Sequence, residues 1–518
     1  MSRQSNKKGK RTSVEMAQHF TPTPVATSIW TVARSFLGEN GRMRLKVIDP
    51  AAGEGVFLKV VAADRETSVE QVCGIEIDAE LTGSVSGGEK SWQLFAGDGL
   101  TQTFAGVQPG SFDVVIGNPP FGRVGNVLPQ VYRSSSKKWA EQFTVWRIGG
   151  ARGSARRDLR CFPIEVLFVE RALQLARPDG LIAFIMPEGF LANDRLQKVR
   201  DWVLERAELL AAIGLPEQVF RRSNLHAKTA AVFLRKKGST KKRRRPALMV
   251  EDGGEDTLVH MMDELQRDVR AAQRGRTGDR CMRVAAAELP GRRWDAQFWR
   301  GRQAVAGLDR RFALVQLGDY IEHLTYGPIV TGRKPHHVEA GIALIRQGDF
   351  AETGLCLEGG LRVAEGSVYD PQRSRVQEGD LLLPRSGAGA LGRNRMAVYL
   401  KSEPANIGCF VDRIRLVGLN PFYVWFFFKT EFGWGQIRAL INGVGTPNIN
   451  FSEVRSLRLP LIPEALQRLL EERYRREVWP LHRRRAEDEA IRRQGEVCFR
   501  QIVDDLKSVV CGGSRVLS

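Results

Sequence analysis

Short apolar segments alternate with helical patterns along the first half of this 518-residue chain. Segments such as VVIGN and LIAFIM are apolar on both faces, which is typical of buried parallel strands. With the helical pattern at Glu165–Arg177, the alternation predicts a doubly wound α/β domain that binds ligands at the carboxyl ends of its strands. The predicted strands are Leu45–Asp49, Gln71–Ile77, Trp92–Asp98, Phe112–Asn118, Gly180–Pro187, Glu208–Leu215 and Thr229–Arg235.

The pattern changes after the basic run Lys236–Arg245. A helix is predicted at Thr257–Gln273, and from Leu314 to Pro463 short strands and frequent glycines indicate an irregular α+β module. The remainder predicts charged helices that Pro480 kinks or divides. We therefore expect several domains, as the length requires: a basic arm (1–13), an α/β domain (14–236), a basic linker and connector (237–300), a second domain (301–463) and a C-terminal helical segment (464–518).

Composition limits the class of partner. The chain has 78 Lys and Arg against 59 Asp and Glu, a net charge of +19, which favours a polyanion such as nucleic acid without proving one. The seven cysteines are scattered and form no CxxC, so we expect neither a zinc site nor disulfides, and a cytoplasmic location. No apolar run predicts a signal peptide or a membrane span.

The most informative motif is the turn Asn118-Pro119-Pro120-Phe121, which follows a predicted strand. Each proline fixes φ and removes a backbone donor, so the turn presents carbonyl groups that no local amide satisfies. The Asn118 oxygen and the Pro119 carbonyl are suited to accept both hydrogens of a flat exocyclic amine, and Phe121 to stack on the ring that carries the amine. Taken alone, a purely structural turn is the competing interpretation.

A second set of candidate residues lies in VIDPAAGEGVFL, between a strand and a helix. Gly53 and Gly55 let the backbone approach a ligand, and the helix that follows offers free amides. Unlike a phosphate-binding loop, this loop carries Asp49 and Glu54 and no lysine. The acids favour a ligand with an ammonium or sulfonium group over ATP.

Two further acids follow at successive strand ends. Glu76 in GIEID stands 27 residues after Asp49, where a carboxylate can accept both ribose hydroxyls. Asp98 in FAGD is suited to accept a hydrogen bond from an adenine amine. Each acid alone could be a solvated loop residue, but together with Asn118 they predict one nucleoside-binding edge.

The segments DPAAGEG, GIEID, AGDGL and IGNPPFG resemble the motif series of S-adenosylmethionine-dependent amino-methyltransferases that act on DNA. HFTPTPVA (His19–Ala26) is similar to the segment that closes over the methionine end of the cofactor in that family. The motif order resembles the gamma class of adenine-N6 methyltransferases, over about residues 14–236. The resemblance implies a Rossmann-like class I methyltransferase sheet.

The resemblance also implies the site. S-adenosylmethionine is the expected cofactor, double-stranded DNA the expected partner, and the N6 amine of a flipped adenine the expected methyl acceptor; no metal is expected. The catalytic turn would be Asn118, Pro119, Pro120 and Phe121, and Phe121 and Phe220 would stack on the flipped base. The expected cofactor-binding residues are Thr21, Asp49, Ala51, Gly53, Gly55, Glu76, Asp98, Asn118 and Pro120.

The second domain resembles a target-recognition domain of type I restriction specificity subunits. The phrases that carry the resemblance are LGDYIEHLTYGPIVTGRK, EGDLLLPRSGAGALGRNRMAVY and GVGTPNINFSEVRSLRLPLIP, and the helical tail resembles the spacer helix of those subunits. A bidentate contact between arginine and guanine is the commonest specific contact to a base, but exposed arginines contact phosphates just as commonly. The candidate base-reading residues are Arg333, Lys334, Arg385, Arg393 and Arg395.

Several alternatives stay open at this point. The chain could be a modification or specificity subunit that is active only with partner proteins, or could methylate another amine, such as cytosine N4, an RNA base or a glutamine side chain. A catalytically idle DNA-binding subunit and a fused nuclease are disfavoured by the intact motifs and by the lack of a convincing nuclease pattern. A separate restriction endonuclease or defence-system partner, and a homodimer, are compatible with the sequence.

Overall fold

The computed structural model comprises two compact units, Met1–Ala296 and Gln297–Ser518. The basic arm 1–13, Phe220 and Arg333 lie outside the described residues, as does most of the basic run at 236–245. The described residues are 21–37, 44–84, 92–124, 142–148, 162–216, 228–238, 245–251, 263, 266–267, 269–271, 273–274, 280–305, 308, 310–332, 334–441 and 448–512.

The first unit is organised around a nine-stranded sheet in the order β3-β2-β1-β4-β5-β7-β6-β8-β9. The first five strands in this order, from β3 to β5, pair in parallel, and β6 also pairs in parallel with β8. In contrast, β7 runs antiparallel to both of its neighbours. The predicted α/β fold class is therefore confirmed. The strands are β1 (Leu45–Asp49), β2 (Val69–Glu76), β3 (Gln93–Ala96), β4 (Phe112–Gly117), β5 (Ala176–Pro187), β6 (Ala207–Leu215), β7 (Thr229–Lys236), β8 (Ala247–Val250) and β9 (Cys281–Val284).

Two of these strands come from the stretch that the sequence predicts to be a linker and connector. All four residues of β8 are buried, and β9 pairs with β8 in antiparallel register. Each strand has only four residues, too few for an alternating or apolar pattern to separate it from a loop. The stretch 237–300 thus contributes two strands to the central sheet of the first unit.

Helices cover the sheet. Of the predicted helix Thr257–Gln273, the structure describes single positions from 263 to 273, and these are helical. The described helices of the first unit, including one that begins at its last residue, are α1 (Thr23–Leu37), α2 (Val56–Ala63), α3 (Ala79–Ser84), α4 (Val145–Ile148), α5 (Ile164–Leu175), α6 (Glu188–Ala192), α7 (Gln197–Arg206) and α8 (Ala296–Ala304).

The chain order reverses between β1 and β4, because β1 pairs with β2 on one side and with β4 on the other. In an open α/β sheet, such a reversal opens a crevice beyond the carboxyl ends of the strands, where ligands bind. Asp49 ends β1, Glu76 ends β2 and Asn118 directly follows β4. The fold therefore brings the polar residues predicted at strand ends to one edge.

The second unit combines short strands with helices, as the glycine-rich pattern predicts. It contains the two-stranded sheet β10-β19 and two four-stranded sheets, β11-β18-β15-β16 and β13-β12-β17-β14. The strands are β10 (Leu314–Gln316), β11 (Ile321–Tyr326), β12 (Ile342–Ile345), β13 (Arg362–Val363), β14 (Arg375–Val376), β15 (Leu381–Pro384), β16 (Ala397–Val398), β17 (Ala405–Ile407), β18 (Val411–Leu416) and β19 (Arg458–Pro460).

An aromatic helix lies at the centre of this unit. In α9 (Pro421–Lys429), all seven residues from Phe422 to Phe428 are buried, and Trp425 packs on Tyr474 and Phe499 of the C-terminal segment. The C-terminal segment therefore belongs to the same core. The other helices are α10 (Glu431–Leu440), α11 (Phe451–Ser456), α12 (Glu464–Arg473), α13 (Trp479–Arg483) and α14 (Glu489–Val510).

The C-terminal segment is helical, as predicted, and Pro480 distorts the first helical stretch without ending it. Pro480 lacks an N–H for the carbonyl four residues earlier, and the turn before it, Tyr474–Val478, widens into a π-helix. The helix then ends at Arg483, and α14 begins at Glu489. Among the described residues, no helix has both the length and the apolar character needed to cross a membrane.

Candidate active site

Asn118 is held at the end of the fully buried strand β4. Its Nδ2 group donates a hydrogen bond of 3.1 Å to the Thr21 hydroxyl, which lies 97 positions earlier in the chain. Thr21 is buried, and it lies just before the helix Thr23–Leu37. The bond fixes the orientation of the Asn118 amide and turns its carbonyl oxygen, the acceptor that amine binding requires, away from Thr21.

The residue before Asn118 contacts the end of β1. A Cβ atom on Gly117 would collide with the carboxylate of Asp49, so only glycine fits at this position. Asp49 is 1% exposed, and its Oδ1 accepts a 2.9 Å hydrogen bond from the Ala51 amide. Burial raises the pKa of Asp49 to about 8, and the nearby Glu76 adds to the rise. The Asn118 turn and the Asp49 loop therefore form one site.

Glu76 fixes the loop that contains the glycines. Its Oε2 accepts from the Gly53 amide at 2.7 Å and its Oε1 from the Asp78 amide at 2.9 Å. Gly53 has a left-handed φ of 52°, and space is open where its Cβ would be. Gly55 has a φ of 73° and packs against Trp92. Both glycines adopt a conformation that other residues rarely tolerate, and no atom of the described residues lies within 4 Å of the position that a Cβ of Gly53 would take.

Asp98 is held by its own loop after β3. Its Oδ1 accepts from the Leu100 amide at 2.9 Å and its Oδ2 from the Thr101 hydroxyl at 2.5 Å. A Cβ on Gly99 would collide with the Pro50 carbonyl, so this loop lies directly against the loop that follows β1. The third predicted acid therefore reaches the same edge as Asp49.

These residues fit the cofactor that the sequence predicts. Burial raises the pKa values of both Asp49 and Glu76, so a positively charged ligand would relieve an unfavourable pair of buried acids. A carboxylate oxygen that already accepts one hydrogen bond retains a lone pair for another, which leaves Glu76 and Asp98 able to accept from ribose and adenine. The open space beside Gly53 admits a ligand to the backbone.

Phe121 lies in the apolar core at 9% exposure, packed in the cluster that contains Val114 and Ile116 of β4. Its stacking on a flipped base stays a prediction, as does that of Phe220, which lies outside the described residues. Pro119 is buried and Pro120 half-buried in the turn between Asn118 and Phe121. Within the part of the chain that the structure describes, no cluster of three His, Cys, Asp or Glu residues could hold a metal ion.

Two positioning residues escaped the sequence analysis. The Oε2 atom of Glu165 accepts a 3.1 Å hydrogen bond from the amide of Gly122, directly after the Asn118 turn, and burial raises the pKa of Glu165 to about 7. The buried Arg171 donates from Nε to the Gly99 carbonyl at 3.0 Å, which supports the Asp98 loop. The available signal in the sequence was that both are charged residues in a largely apolar helix. In the structure, all residues from Ile164 to Leu173 are buried.

The candidate base-reading residues of the second unit differ in their surroundings. The Nη1 atom of Arg395 forms an ion pair with Oε2 of Glu352 at 2.5 Å. Lys334 and Arg393 are exposed. Arg333 lies outside the described residues. Arg385 is partly buried, with its side chain 21% exposed.

The profile of the N-6 DNA Methylase family matches residues 3–273, just over half of the chain. The match includes Thr21, Asp49, Glu76, Asp98 and Asn118. The chain belongs to the N-6 DNA methylase family. This is a family of S-adenosylmethionine-dependent DNA methyltransferases, so the match confirms the coarse family assignment made from the motifs.

Two relatives and one solved structure illustrate what the chain is similar to. The chain is 25% identical over 228 residues to the defense against restriction protein B of Escherichia phage P1, covering 43% of this chain and 8% of that protein. It is 25% identical over 169 residues to the type II methyltransferase M.TthHB8I of Thermus thermophilus, covering 30% and 33%. The chain therefore spans a third or less of the length of either relative.

Among solved structures, the type IIG restriction endonuclease BpuSI is similar, with a TM-score of 0.48 and 12% identity. The alignment covers 96% of this chain and 67% of that one.

Proposed function

We propose that this chain transfers a methyl group from S-adenosylmethionine to the N6 amine of an adenine in DNA, at a sequence selected by its second unit. The observation that carries the proposal is the 3.1 Å hydrogen bond from Asn118 to Thr21. It orients the amide of Asn118 so that its carbonyl oxygen is directed away from Thr21, beside a loop whose acids suit a cationic nucleoside.

S-adenosylmethionine supplies a methyl group that its sulfonium has already activated for transfer. The role of the protein is then to position the amine and to stabilise charge. Hydrogen bonds from the amine to the Asn118 oxygen and the Pro119 carbonyl favour a pyramidal nitrogen with a localised lone pair. The positive charge that develops on nitrogen faces these same oxygens. No general base is assigned, since the methylated ammonium loses its proton readily.

The amine of an adenine lies within the stacked duplex, so the base must be flipped out to reach Asn118. We assign one stacking face to Phe121 and the other to Phe220. The net charge of +19 suits the DNA backbone, which attracts basic proteins irrespective of sequence.

Sequence selection is assigned to residues 301–463, which form the α+β part of the second unit. Phosphate contacts carry no sequence information, so a site-specific enzyme needs side chains that reach base edges. The relatives named for type II methylation and for defence against restriction support a role in restriction-modification or phage defence. In that setting a nuclease would be a separate partner protein.

The test replaces Asn118 with alanine. Asn118→Ala should lower turnover roughly a hundredfold or more, because it removes an oxygen that stabilises developing charge. Cofactor affinity, measured by calorimetry without DNA, should stay largely intact. Asn193→Ala, which removes an exposed asparagine of the same unit, is the control and should leave turnover unchanged.

The product identifies the substrate. Single-molecule sequencing of DNA from cells that express the chain should show N6-methyladenine at one defined sequence. An Asn118→Ala protein that retains more than a tenth of the wild-type turnover would exclude the proposed contact with the amine. N4-methylcytosine would change the substrate and keep the chemistry. If the purified chain is inactive but regains activity when mixed with a cell extract, it is a subunit that requires partners.

A further inference from the structure

Arg385 directly follows β15 and is fixed by its backbone on both sides. Its amide donates to the Phe410 carbonyl at 2.9 Å, and its carbonyl accepts from the Ile449 amide at 3.1 Å. Phe410 directly precedes β18, and Ile449 lies shortly before the helix Phe451–Ser456. The Cα position of Arg385 is therefore set by two other segments of the second unit.

Two aromatic rings surround the side chain. The guanidinium carbon of Arg385 lies 4.6 Å from the ring centroid of Tyr326 and 5.5 Å from that of Phe451. The two rings are themselves in contact, with centroids 5.7 Å apart. A guanidinium at these distances is attracted to the ring faces, and its planar group is restricted in orientation.

A buried carboxylate completes the cluster. The Nε atom of Arg385 lies 3.8 Å from Oδ1 of Asp412, whose side chain is 0% exposed. Neither oxygen of Asp412 has a hydrogen-bond partner among the described residues. Burial raises the pKa of Asp412 to about 7, and the positive charge of Arg385 opposes that rise. Arg385 therefore supplies the compensating charge for a buried acid.

The register of the sheet explains why these residues meet. Asp412 of β18 stands directly opposite Tyr326 of β11 and Leu383 of β15, so the three side chains share one face. Arg385 is two residues beyond Leu383 and continues the same row.

The surface around this cluster is open to a partner. Phe410, whose carbonyl accepts from the Arg385 amide, is 56% exposed. Arg373 is also exposed, and its guanidinium carbon lies 5.9 Å from the Tyr326 ring. No hydrogen bond among the described residues engages the two terminal Nη groups of Arg385, so both can donate outward.

A phosphate contact is a poor explanation for this arrangement. In its ionised form, Asp412 would weaken the attraction of Arg385 for a phosphate. A phosphate also has several equivalent acceptor oxygens, so it can be bound in many orientations of the guanidinium plane. Recognition of a base does require a fixed guanidinium plane, because two N–H donors of the arginine must meet two acceptors of the base at once. Guanine presents O6 and N7 as such a pair in the major groove.

We propose that Arg385 is a specificity-determining residue that binds the O6 and N7 acceptors of one guanine in the target sequence, and that Tyr326, Phe451 and Asp412 position it. The inference rests on the proposed function, since it assumes that the second unit selects the methylated site.

The test compares methylation sites and DNA affinity for full-length variants. Arg385→Ala should relax selection at one G·C pair of the wild-type site, with discrimination there reduced roughly ten- to hundredfold. Arg385→Lys should lose nearly as much, because a single ammonium group cannot contact both acceptors. Asp412→Asn should produce a smaller loss at the same pair, since it loosens Arg385 without removing it.

The matched control is Arg438→Ala. Arg438 is an exposed arginine of the same unit whose guanidinium carbon also lies over an aromatic ring, 5.9 Å from the centroid of Trp434. Its replacement should leave the recognised sequence unchanged. Equal cofactor affinity and a single cooperative thermal transition for each variant establish that it is folded.

The outcomes separate this inference from the proposed function. If wild-type protein leaves no methylated base at a defined DNA sequence, the proposed function fails, and this inference fails with it. A defined wild-type site that contains no G·C pair, or that is selected equally well by Arg385→Ala, overturns this inference alone. Uniform weakening on all sequences, with the dependence of affinity on salt reduced by about one unit of slope, would make Arg385 a phosphate contact instead.

Discussion

The Nδ2 group of Asn118 lies 3.1 Å from the hydroxyl of Thr21, across 97 positions of sequence. Thr21 precedes the first helix of the sheet unit, whereas Asn118 directly follows a central strand. The contact therefore couples the segment expected to cover the cofactor to the residue expected to bind the amine. In the proposed enzyme, the orientation of the catalytic amide depends on a residue outside its own motif.

Thr21→Val should lower the rate of methyl transfer about fivefold. The replacement keeps the shape of the side chain but removes the hydroxyl that accepts from Asn118, and a typical hydrogen bond contributes about 1 kcal/mol. Thr21→Ser retains the hydroxyl and should restore most of the rate. Single-turnover kinetics on duplex DNA measures the step. Equal rates for the valine and serine variants would show that the hydroxyl does not orient Asn118.

Gly117→Ala should destabilise the first unit by about 1–3 kcal/mol, since an added methyl group would collide with the Asp49 carboxylate. Cofactor affinity should fall as well, because the collision displaces the loop that follows β1. Gly189→Ala is the matched control, because no atom in the part of the chain that the structure describes lies within 4 Å of the Cβ it would add. Thermal unfolding and calorimetry measure the two effects. Equal melting temperatures for both variants would contradict the close packing of β1 and β4.

Cofactor affinity should rise with pH between about 6 and 8. Burial raises the pKa of Asp49 to about 8, so below that pH the carboxyl group is largely protonated in the cofactor-free protein. A cationic cofactor favours the ionised form, so its binding releases a proton, and affinity should increase by up to about tenfold per pH unit. Above pH 8 this contribution should level off.

Calorimetry in two buffers with different ionisation enthalpies reports the released proton. Asp49→Asn should remove this contribution, whereas the cofactor's own amine titrates in both proteins and cancels in the comparison. If the variant and the wild type show the same pH dependence, Asp49 does not face the positive charge of the cofactor.

Stability of the first unit should fall between pH 5 and pH 8 because of Glu165. Burial raises its pKa from 4.5 to about 7, so the folded protein binds this proton more tightly than the unfolded chain does. The stabilising contribution is complete below pH 4.5 and is lost as pH rises through about 7. Glu165→Gln stays neutral and can still accept from the Gly122 amide. Relative to this variant, the free energy of unfolding of the wild type should fall by about 3 kcal/mol over this pH range. Unfolding midpoints at several pH values give this difference, and a constant difference would contradict the prediction.

The sequence located the strands and the strand-end acids because both are local properties. Buried parallel strands are continuous apolar runs. A polar residue that directly follows such a run therefore lies at the carboxyl end of the strand, where ligands bind. The prediction of β1 at Leu45–Asp49 agrees with the structure at both ends. The short strands Ala247–Val250 and Cys281–Val284 were missed, because four residues carry too little pattern.

Contacts between distant segments could not be predicted. Glu165 is 43 positions from the Gly122 amide that it holds, and no spacing rule connects them. Tyr326 meets Asp412 only because β11 and β18 pair in one antiparallel register, and a shift of one residue would turn either side chain to the other face. The sequence therefore supplied Arg385 as one of five equivalent candidates, and the register of the sheet distinguishes it from the others.

Exchange of the second unit, Gln297–Ser518, for the matching region of a related enzyme should transfer the recognised sequence and leave the methylated base unchanged. The prediction follows from the division of the chain into two compact units, with the strand-end acids and Asn118 all in the first. Phosphate contacts of the first unit carry no sequence information, so its own DNA binding should be weak and should fall steeply with salt. Single-molecule sequencing of DNA from cells that express the hybrid measures the result. A hybrid that keeps the original site would place recognition in the first unit, and the assignment of Arg385 as a base-reading residue would then fail as well.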